Sequence, residues 1–215
     1  MTTLLFTSES GRGRGAAMGR LVFLIGLVWF VVALALALAG GFDAGPGEKP
    51  LAILAAILLP VAVFGLAYAR IEAFRNWVLA LDMRHLILLH SWRMIGMGFV
   101  FLYFHEQLPA LFALPAGLGD AMAATGALWL GIALYESPAS VTDQRIFMWN
   151  FFGLVDFVVA VSMGVLTRTG EIFHISGAAG SEIMGVFPLA LIPGFAVPFY
   201  VITHLIIFLQ LRQKP

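Results

Sequence analysis

Three charged side chains inside apolar stretches are the residues of this sequence whose types and spacing could do chemistry. Arg93, Asp120 and Asp156 each lie about midway along a stretch long enough to cross a membrane. At about 1.5 Å per residue, each lies ~12–15 Å from one end of its stretch, so all three fall near the bilayer midplane. An isolated charge there costs at least ~2.5 kcal/mol. The sequence therefore favours one inward-facing cluster over three separate charges.

Such a cluster could hold a proton or bind an anion. The guanidinium of Arg93 keeps its charge and could clamp an anion, with Trp92 beside it and His90 on the same helix face as a relay. Asp120 and Asp156 carry two negative charges against one positive charge, so we expect one carboxyl group to hold a proton. A fixed salt bridge that joins three helices is the alternative of equal weight.

A second pair of residues suggests a cofactor. His90 and His204 lie ~8 Å and ~10 Å from the inner ends of their apolar stretches, on one level. Two facing imidazoles in a helical bundle can hold the iron of a b-type haem, with Arg93 placed for a propionate. Haem b is therefore the alternative cofactor, against the simpler expectation that each histidine hydrogen-bonds a neighbour.

The last apolar stretch contains three prolines. Pro188 suits a helix start, whereas Pro193 and Pro198 each remove a backbone donor within the stretch, and Gly194 follows the first of these two. A break in a membrane helix persists only where it is buried or lines a cavity. The pattern is typical of transporter sites, and an ordinary proline kink is the alternative.

The elements that must position these residues are membrane helices, and we predict an all-α bundle. We predict that residues 1–20 are a disordered tail and that residues 212–215 form a second tail. Residues 71–82 are predicted to form a short helix at the membrane surface or, alternatively, an extension of the third span. Six spans are predicted from apolar length, at about residues 21–39, 51–69, 85–105, 111–133, 146–167 and 187–211.

One face of the fourth span consists entirely of small residues. Small side chains let another helix approach closely, either from the same chain or from a partner or second copy. The face is formed by Ala113, Ala116, Gly117, Ala123, Ala124, Ala127 and Gly131.

Composition excludes several classes of protein. The 215 residues are 61% hydrophobic and 11% charged, about half the charged share of an ordinary soluble domain, which indicates an integral membrane protein. The formal net charge is zero, so nothing favours nucleic acid as a partner, and the lack of cysteine excludes disulfides and thiolate sites. No motif of a soluble enzyme occurs.

The distribution of lysine and arginine predicts the orientation. Nine of them fall on the side that carries both termini, and two fall on the other. The positive-inside rule therefore predicts that both termini lie in the cytoplasm. We expect the protein to lie in the inner (plasma) membrane. The nine are Arg12, Arg14, Arg20, Arg70, Arg75, Arg84, Arg145, Arg212 and Lys214, and the two are Lys49 and Arg168.

The leading interpretation is a membrane protein that moves a proton or a small polar or anionic solute. Its site would comprise Arg93, Asp120, Asp156, His90 and Trp92, together with Pro193 and Gly194. The first alternative is a haem- or quinone-linked redox protein. The second is a non-catalytic subunit that docks to a larger membrane complex through its small-residue face.

Overall fold

The computed structural model describes residues 2–213, with side chains from Gly15 onward. These residues form helices and connecting turns, with no strand among them, which confirms the all-α fold. The helices are α1 (Thr2–Leu38), α2 (Leu51–Arg70), α3 (Glu72–Leu79), α4 (Met83–Leu89), α5 (Met97–Phe104), α6 (Ala110–Glu136), α7 (Asp143–Leu166) and α8 (Val197–Gln213).

Six segments of the described chain are long and apolar enough to cross a membrane. They agree with the predicted spans, although the bounds of several shift by a few residues. The segments are Gly15–Leu38, Leu51–Arg70, Met83–Phe104, Ala110–Glu136, Asp143–Leu166 and Ile192–Gln213.

The N-terminal and C-terminal bounds differ from the prediction. Helix α1 begins at Thr2, within the predicted disordered tail, and no proline lies between residues 2 and 38 to end a helix that extends the first span. At the other end α8 includes Arg212 and Gln213, while the rest of the predicted tail lies outside the described residues.

The segment that follows the second span is a helix of its own. α3 ends at Leu79, and Asp82 then caps α4 by accepting a hydrogen bond from the backbone N–H of Arg84 at 2.9 Å. The cap fixes a separate helix start, so the alternative of an uninterrupted extension of the third span is wrong. The location of α3 at the membrane surface stays a prediction.

The third and sixth spans each contain an irregular turn. A 3₁₀ segment, His90–Gly96, separates α4 from α5 within the third span. In the sixth span residues 187–190 form turns, and the helical part starts at Ile192 with a π turn, Ile192–Ala196, before α8. The wider π turn accommodates Pro193, which cannot donate to the preceding turn.

Helix α6 contacts both the third and the fifth span. It packs against α4, the 3₁₀ segment, α5 and α7, and all seven small residues of its predicted face are buried in these contacts. Gly117 makes room for Val100, and Gly131 for Leu88. Because the face is filled from within the chain, it is not available for docking a partner or a second copy.

Candidate functional site

Arg93 is the hub of a buried polar cluster that joins three helical segments. It lies in the 3₁₀ segment with its side chain 1% exposed. Its Nε donates to Oδ1 of Asp120 on α6 at 2.7 Å, and its Nη2 donates to Oδ2 of Asp156 on α7 at 2.5 Å. The guanidinium also lies 3.9 Å above the centroid of the Phe157 ring, on the same helix as Asp156. The structure therefore brings the three predicted charges into direct contact.

The third guanidinium nitrogen is also occupied. Nη1 of Arg93 lies 3.1 Å from Nε2 of His204 and 3.5 Å from the carbonyl oxygen of Gly153. Every guanidinium nitrogen thus has a partner within the chain. Nη2 has a second N–H group beside the one that bonds Asp156, and the anion-clamp role expected of Arg93 stays a prediction.

Three glycines make room for the cluster at the points where helices approach. A Cβ on Gly96 would collide with the carboxyl group of Asp120, and a Cβ on Gly119 would collide with that of Asp156. A Cβ on Gly153 would lie 2.5 Å from the His204 ring and 3.0 Å from Nη1 of Arg93. Any other residue at these positions would push a charged or polar side chain out of place.

His204 is held in one tautomer. An arginine N–H only donates, so Nε2 of His204 must accept from Arg93, and the ring is therefore neutral with its proton on Nδ1. That Nδ1–H faces Oδ1 of Asn150 at 2.7 Å, and Nδ2 of Asn150 donates to the carbonyl oxygen of His204 at 3.1 Å. Asn150 thus fixes both the ring and the backbone of His204.

His90 lies beside this network but is joined to it only by ring contact. Its ring centroid is 4.0 Å from that of His204, and both residues are completely buried. Nε2 of His90 lies 3.0 Å from Oγ1 of Thr203, whose hydroxyl donates to the carbonyl oxygen of Tyr200. Nδ1 of His90 has no hydrogen-bond partner among the described residues. The predicted relay role of His90 therefore has no hydrogen-bonded path to the cluster here.

The histidine pair does not fit a haem. Two axial imidazoles must lie on opposite faces of a porphyrin, whereas these rings pack against each other with an interplanar angle of 38°. Their Nε2 atoms are already engaged by Thr203 and Arg93, and Trp149 packs on both rings. The His90–His204 arrangement thus supports a packed polar core rather than an iron site.

A cavity of about 330 Å³ adjoins the cluster. Arg93 and Asp120 line one end of it, and Arg168 and Ser181 line the other. Between them the wall is mostly apolar and comes from α1, α2, α6, α7 and the π turn. A cavity of this size with few polar groups is typical of a small-molecule site.

The remaining predicted site residues lie around this cavity. Trp92 lines it while 67% of its surface remains exposed, and Pro193 lines it from the π turn. Gly194 is buried, and a Cβ there would lie 2.9 Å from the Phe42 ring. The π turn is therefore braced by the loop between α1 and α2 and forms part of the cavity wall.

Several residues of the site were not singled out from the sequence. Asn150, Thr203 and Tyr200 are ordinary polar residues in apolar helices, and Gly119 is one of many glycines. Asn150 could have been found from its spacing, because it lies one turn before Gly153 on the helix that carries Asp156. The partners of Thr203 and Tyr200 depend on how α8 is rotated, which the sequence does not specify.

Arg168, one of the residues that line the cavity, lies in the turns that follow α7. Arg168, 2% exposed, donates through Nη2 to the carbonyl oxygens of Ala44 and Gly45, and through Nε to that of Glu48. Glu182 accepts from the backbone N–H of Thr169 at 2.6 Å. Burial alone would raise the pKa of Glu182, but this hydrogen bond and the charge of Arg168 bring that pKa below its usual value.

Six apolar spans with a shared polar cluster define a multi-pass helical membrane protein. Residues 50–212 match the family described as "Domain of unknown function (DUF8737)", and the chain belongs to that family. The match includes α2 to α8 and every residue of the cluster, and it leaves out α1. No curated protein and no solved structure matches the chain.

Proposed function

We propose that the protein is a proton-linked membrane carrier in which Asp120 and Asp156 exchange a proton while Arg93 stays charged. The observation that supports this most is the sharing of one buried guanidinium by carboxyl groups from two different helices. A single carboxylate would already neutralise Arg93. The second leaves a net negative charge in a medium of low dielectric constant, where binding a proton relieves it.

Asp120 is the member of the pair that faces the cavity. Its side chain is 15% exposed, against 6% for Asp156, and Asp120 lines the cavity whereas Asp156 does not. Oδ1 of Asp120 is bound by Arg93, while its Oδ2 makes no hydrogen bond to the described residues. A proton or a solute group in the cavity would therefore meet Asp120 first.

The irregular turns give the site two places to bend. Arg93 lies within the 3₁₀ segment, and the π turn lines the same cavity from the sixth span. Mid-helix 3₁₀ and π segments are frequent at functional hinges, and discontinuous helices form the substrate sites of many transporters. Protonation of an aspartate would weaken its bond to Arg93 and so free the 3₁₀ segment to move against α6 or α7.

A pH jump tests the proposal without knowledge of the solute. Proteoliposomes adsorbed on a solid-supported membrane should give a transient current when the external pH is stepped, as protons enter or leave the pair. Asp120→Asn and Asp156→Asn should each reduce this current at least tenfold. Asp82→Asn, which removes an aspartate at the start of α4 outside the spans, should leave it unchanged. The absence of a current, or currents equal in all four proteins, would show a fixed salt bridge instead.

A further inference from the structure

The far end of the cavity contains a buried cation that forms no ion pair with the described residues. Arg168 is 2% exposed, and no carboxylate of the described residues lies within 4.0 Å of its guanidinium. Its contacts are the three carbonyl oxygens of the α1–α2 loop, made through Nε and Nη2. Nη1 makes no hydrogen bond to the described residues. The charge of Arg168 is thus solvated by dipoles but not neutralised, although it lines a cavity.

Two carboxylates near Arg168, those of Glu48 and Glu182, are hydrogen-bonded elsewhere. Oε2 of Glu48 accepts from the backbone N–H of Gly45 at 3.0 Å. Glu182 feels the charge of Arg168, but its Oε1 accepts from the backbone N–H of Thr169 at 2.6 Å. Ser181, which also lines the cavity, donates its hydroxyl to the carbonyl oxygen of Gly164. Both carboxylates are therefore hydrogen-bonded to the backbone, and neither forms an ion pair with Arg168.

The wall next to Arg168 suits a hydrocarbon chain. The cavity-lining residues of α7 run from Phe157 to Val165, eight residues or ~12 Å at 1.5 Å per residue, and Arg168 follows in the turn beyond the end of this helix. Ala160, Val161 and Val165 form this wall. A guanidinium followed by an apolar wall, with Arg93 and Asp120 at the opposite end of the cavity, matches a molecule with an anionic head and a single short chain.

The cavity also opens on the surface from which such a molecule would arrive. Trp92 and Ile95 line it and yet are 67% and 65% exposed on the outside of the third span. Side chains this apolar and this exposed on a membrane span face lipid. An amphiphile dissolved in the bilayer can therefore reach the cavity sideways, without crossing water.

We infer that Arg168 and the cavity form a binding site for a single-chain anionic amphiphile, with the head at Arg168 and the chain directed toward Phe157. The chemistry shared by a fatty-acid carboxylate and a lysophospholipid phosphate meets this description. The inference goes beyond proton exchange at Asp120 and Asp156 and holds whether or not that exchange occurs.

Equilibrium binding to the full chain in nanodiscs tests it. Radiolabelled dodecanoate should bind saturably, and binding should weaken at least tenfold in Arg168→Gln, while dodecanol should bind both proteins alike. Lauroyl lysophosphatidate, which carries a phosphate in place of the carboxylate, distinguishes the two head groups. If it binds and dodecanoate does not, the site binds a phosphate head. If neither binds saturably, or if Arg168→Gln binds both probes as the wild type does, the inference is wrong.

Arg168 also holds the α1–α2 loop, so Arg168→Gln could fail to fold. A second variant then tests the binding site. Ala160→Phe should fill the cavity wall and abolish binding of the chain. Val159→Phe, its neighbour on α7, is 36% exposed and does not line the cavity, so it should leave binding unchanged. Equal binding by the two phenylalanine variants would overturn the inference. Asp156→Asn should lose the pH-jump current but still bind dodecanoate, because Asp156 does not line the cavity, so failure of binding and failure of proton exchange are separable.

Discussion

Nη1 of Arg93 lies 3.1 Å from Nε2 of His204, and this contact determines the charge of the histidine. Because arginine can only donate, Nε2 must be the acceptor and the imidazole must be neutral. The cluster therefore consists of one cation, two carboxyl groups and a neutral ring, and the ring adds no charge to either side of the balance.

The tautomer of His204 is directly measurable. Nitrogen-15 NMR of histidine-labelled protein should show Nδ1 of His204 protonated and Nε2 unprotonated at neutral pH, because Asn150 accepts from the one and Arg93 donates to the other. Asn150→Leu removes the acceptor and should destabilise this tautomer. A doubly protonated His204 at neutral pH would contradict the assigned hydrogen bonds.

The charges of the cluster should be strongly coupled in stability. Asp156→Asn should destabilise more than Asp120→Asn, because Asp156 is the more buried partner of a cation that cannot lose its charge. A double-mutant cycle of Arg93→Ala with Asp156→Asn, measured by unfolding in mixed micelles, should give a coupling of ~1–3 kcal/mol. The exposed pair of Arg84 and Asp82 is the control and should couple by less than ~1 kcal/mol. Additive effects in the buried cycle would be incompatible with direct contact.

The glycines of the cluster should not tolerate a methyl group. Gly119→Ala and Gly96→Ala place a Cβ against Asp156 and Asp120, and each should destabilise the protein by ~1–3 kcal/mol as an overpacked core does. Gly65→Ala on α2 is the matched control, since no atom outside its own helix lies within 4 Å of a Cβ there. It should be neutral or stabilise by up to ~1 kcal/mol. Thermal unfolding of the three variants in detergent provides the comparison.

The start of α4 should weaken in acid. The hydrogen bond from the Arg84 side chain is the main cause that lowers the pKa of Asp82 from 3.8 to about 2. Since the folded pKa is below the unfolded one, this contribution to stability is complete above pH ~4 and is lost as pH falls toward 2. Asp82→Asn should reduce the slope of stability against pH in that window only. An unchanged slope would mean that other carboxyl groups dominate it.

The predicted topology can be tested by labelling, because the chain has no cysteine. A cysteine at Lys49 or at Ile172, which is 77% exposed, should react with a membrane-impermeant maleimide added outside intact cells. A cysteine at Ala139, in the turn between α6 and α7, should react only after the membrane is opened. Labelling of Ala139→Cys in intact cells would show that the orientation is opposite to the predicted one.

Much of this architecture follows from the sequence alone. Apolar length predicts the six spans, because a bilayer of given thickness demands a minimum number of apolar residues. The cost of a charge in lipid predicts that Arg93, Asp120 and Asp156 face inward. Small side chains on one face of α6 predict close packing there, and the structure confirms that the face is buried.

Only the tertiary structure determines which groups are bonded and which are left unoccupied. Equal depth placed Arg93, Asp120 and Asp156 on one level, but the rotation of each helix decides that one guanidinium meets both aspartates and His204. The 3₁₀ segment contains no proline, which is the residue that would have predicted an irregular turn from the sequence. Its formation instead depends on packing against α6. In the sequence, Arg168 contributes only to the count of positive charges on the side of the membrane opposite to the termini. Its burial at the end of a cavity results from the fold of two loops far apart in the chain, whose contacts no local pattern specifies.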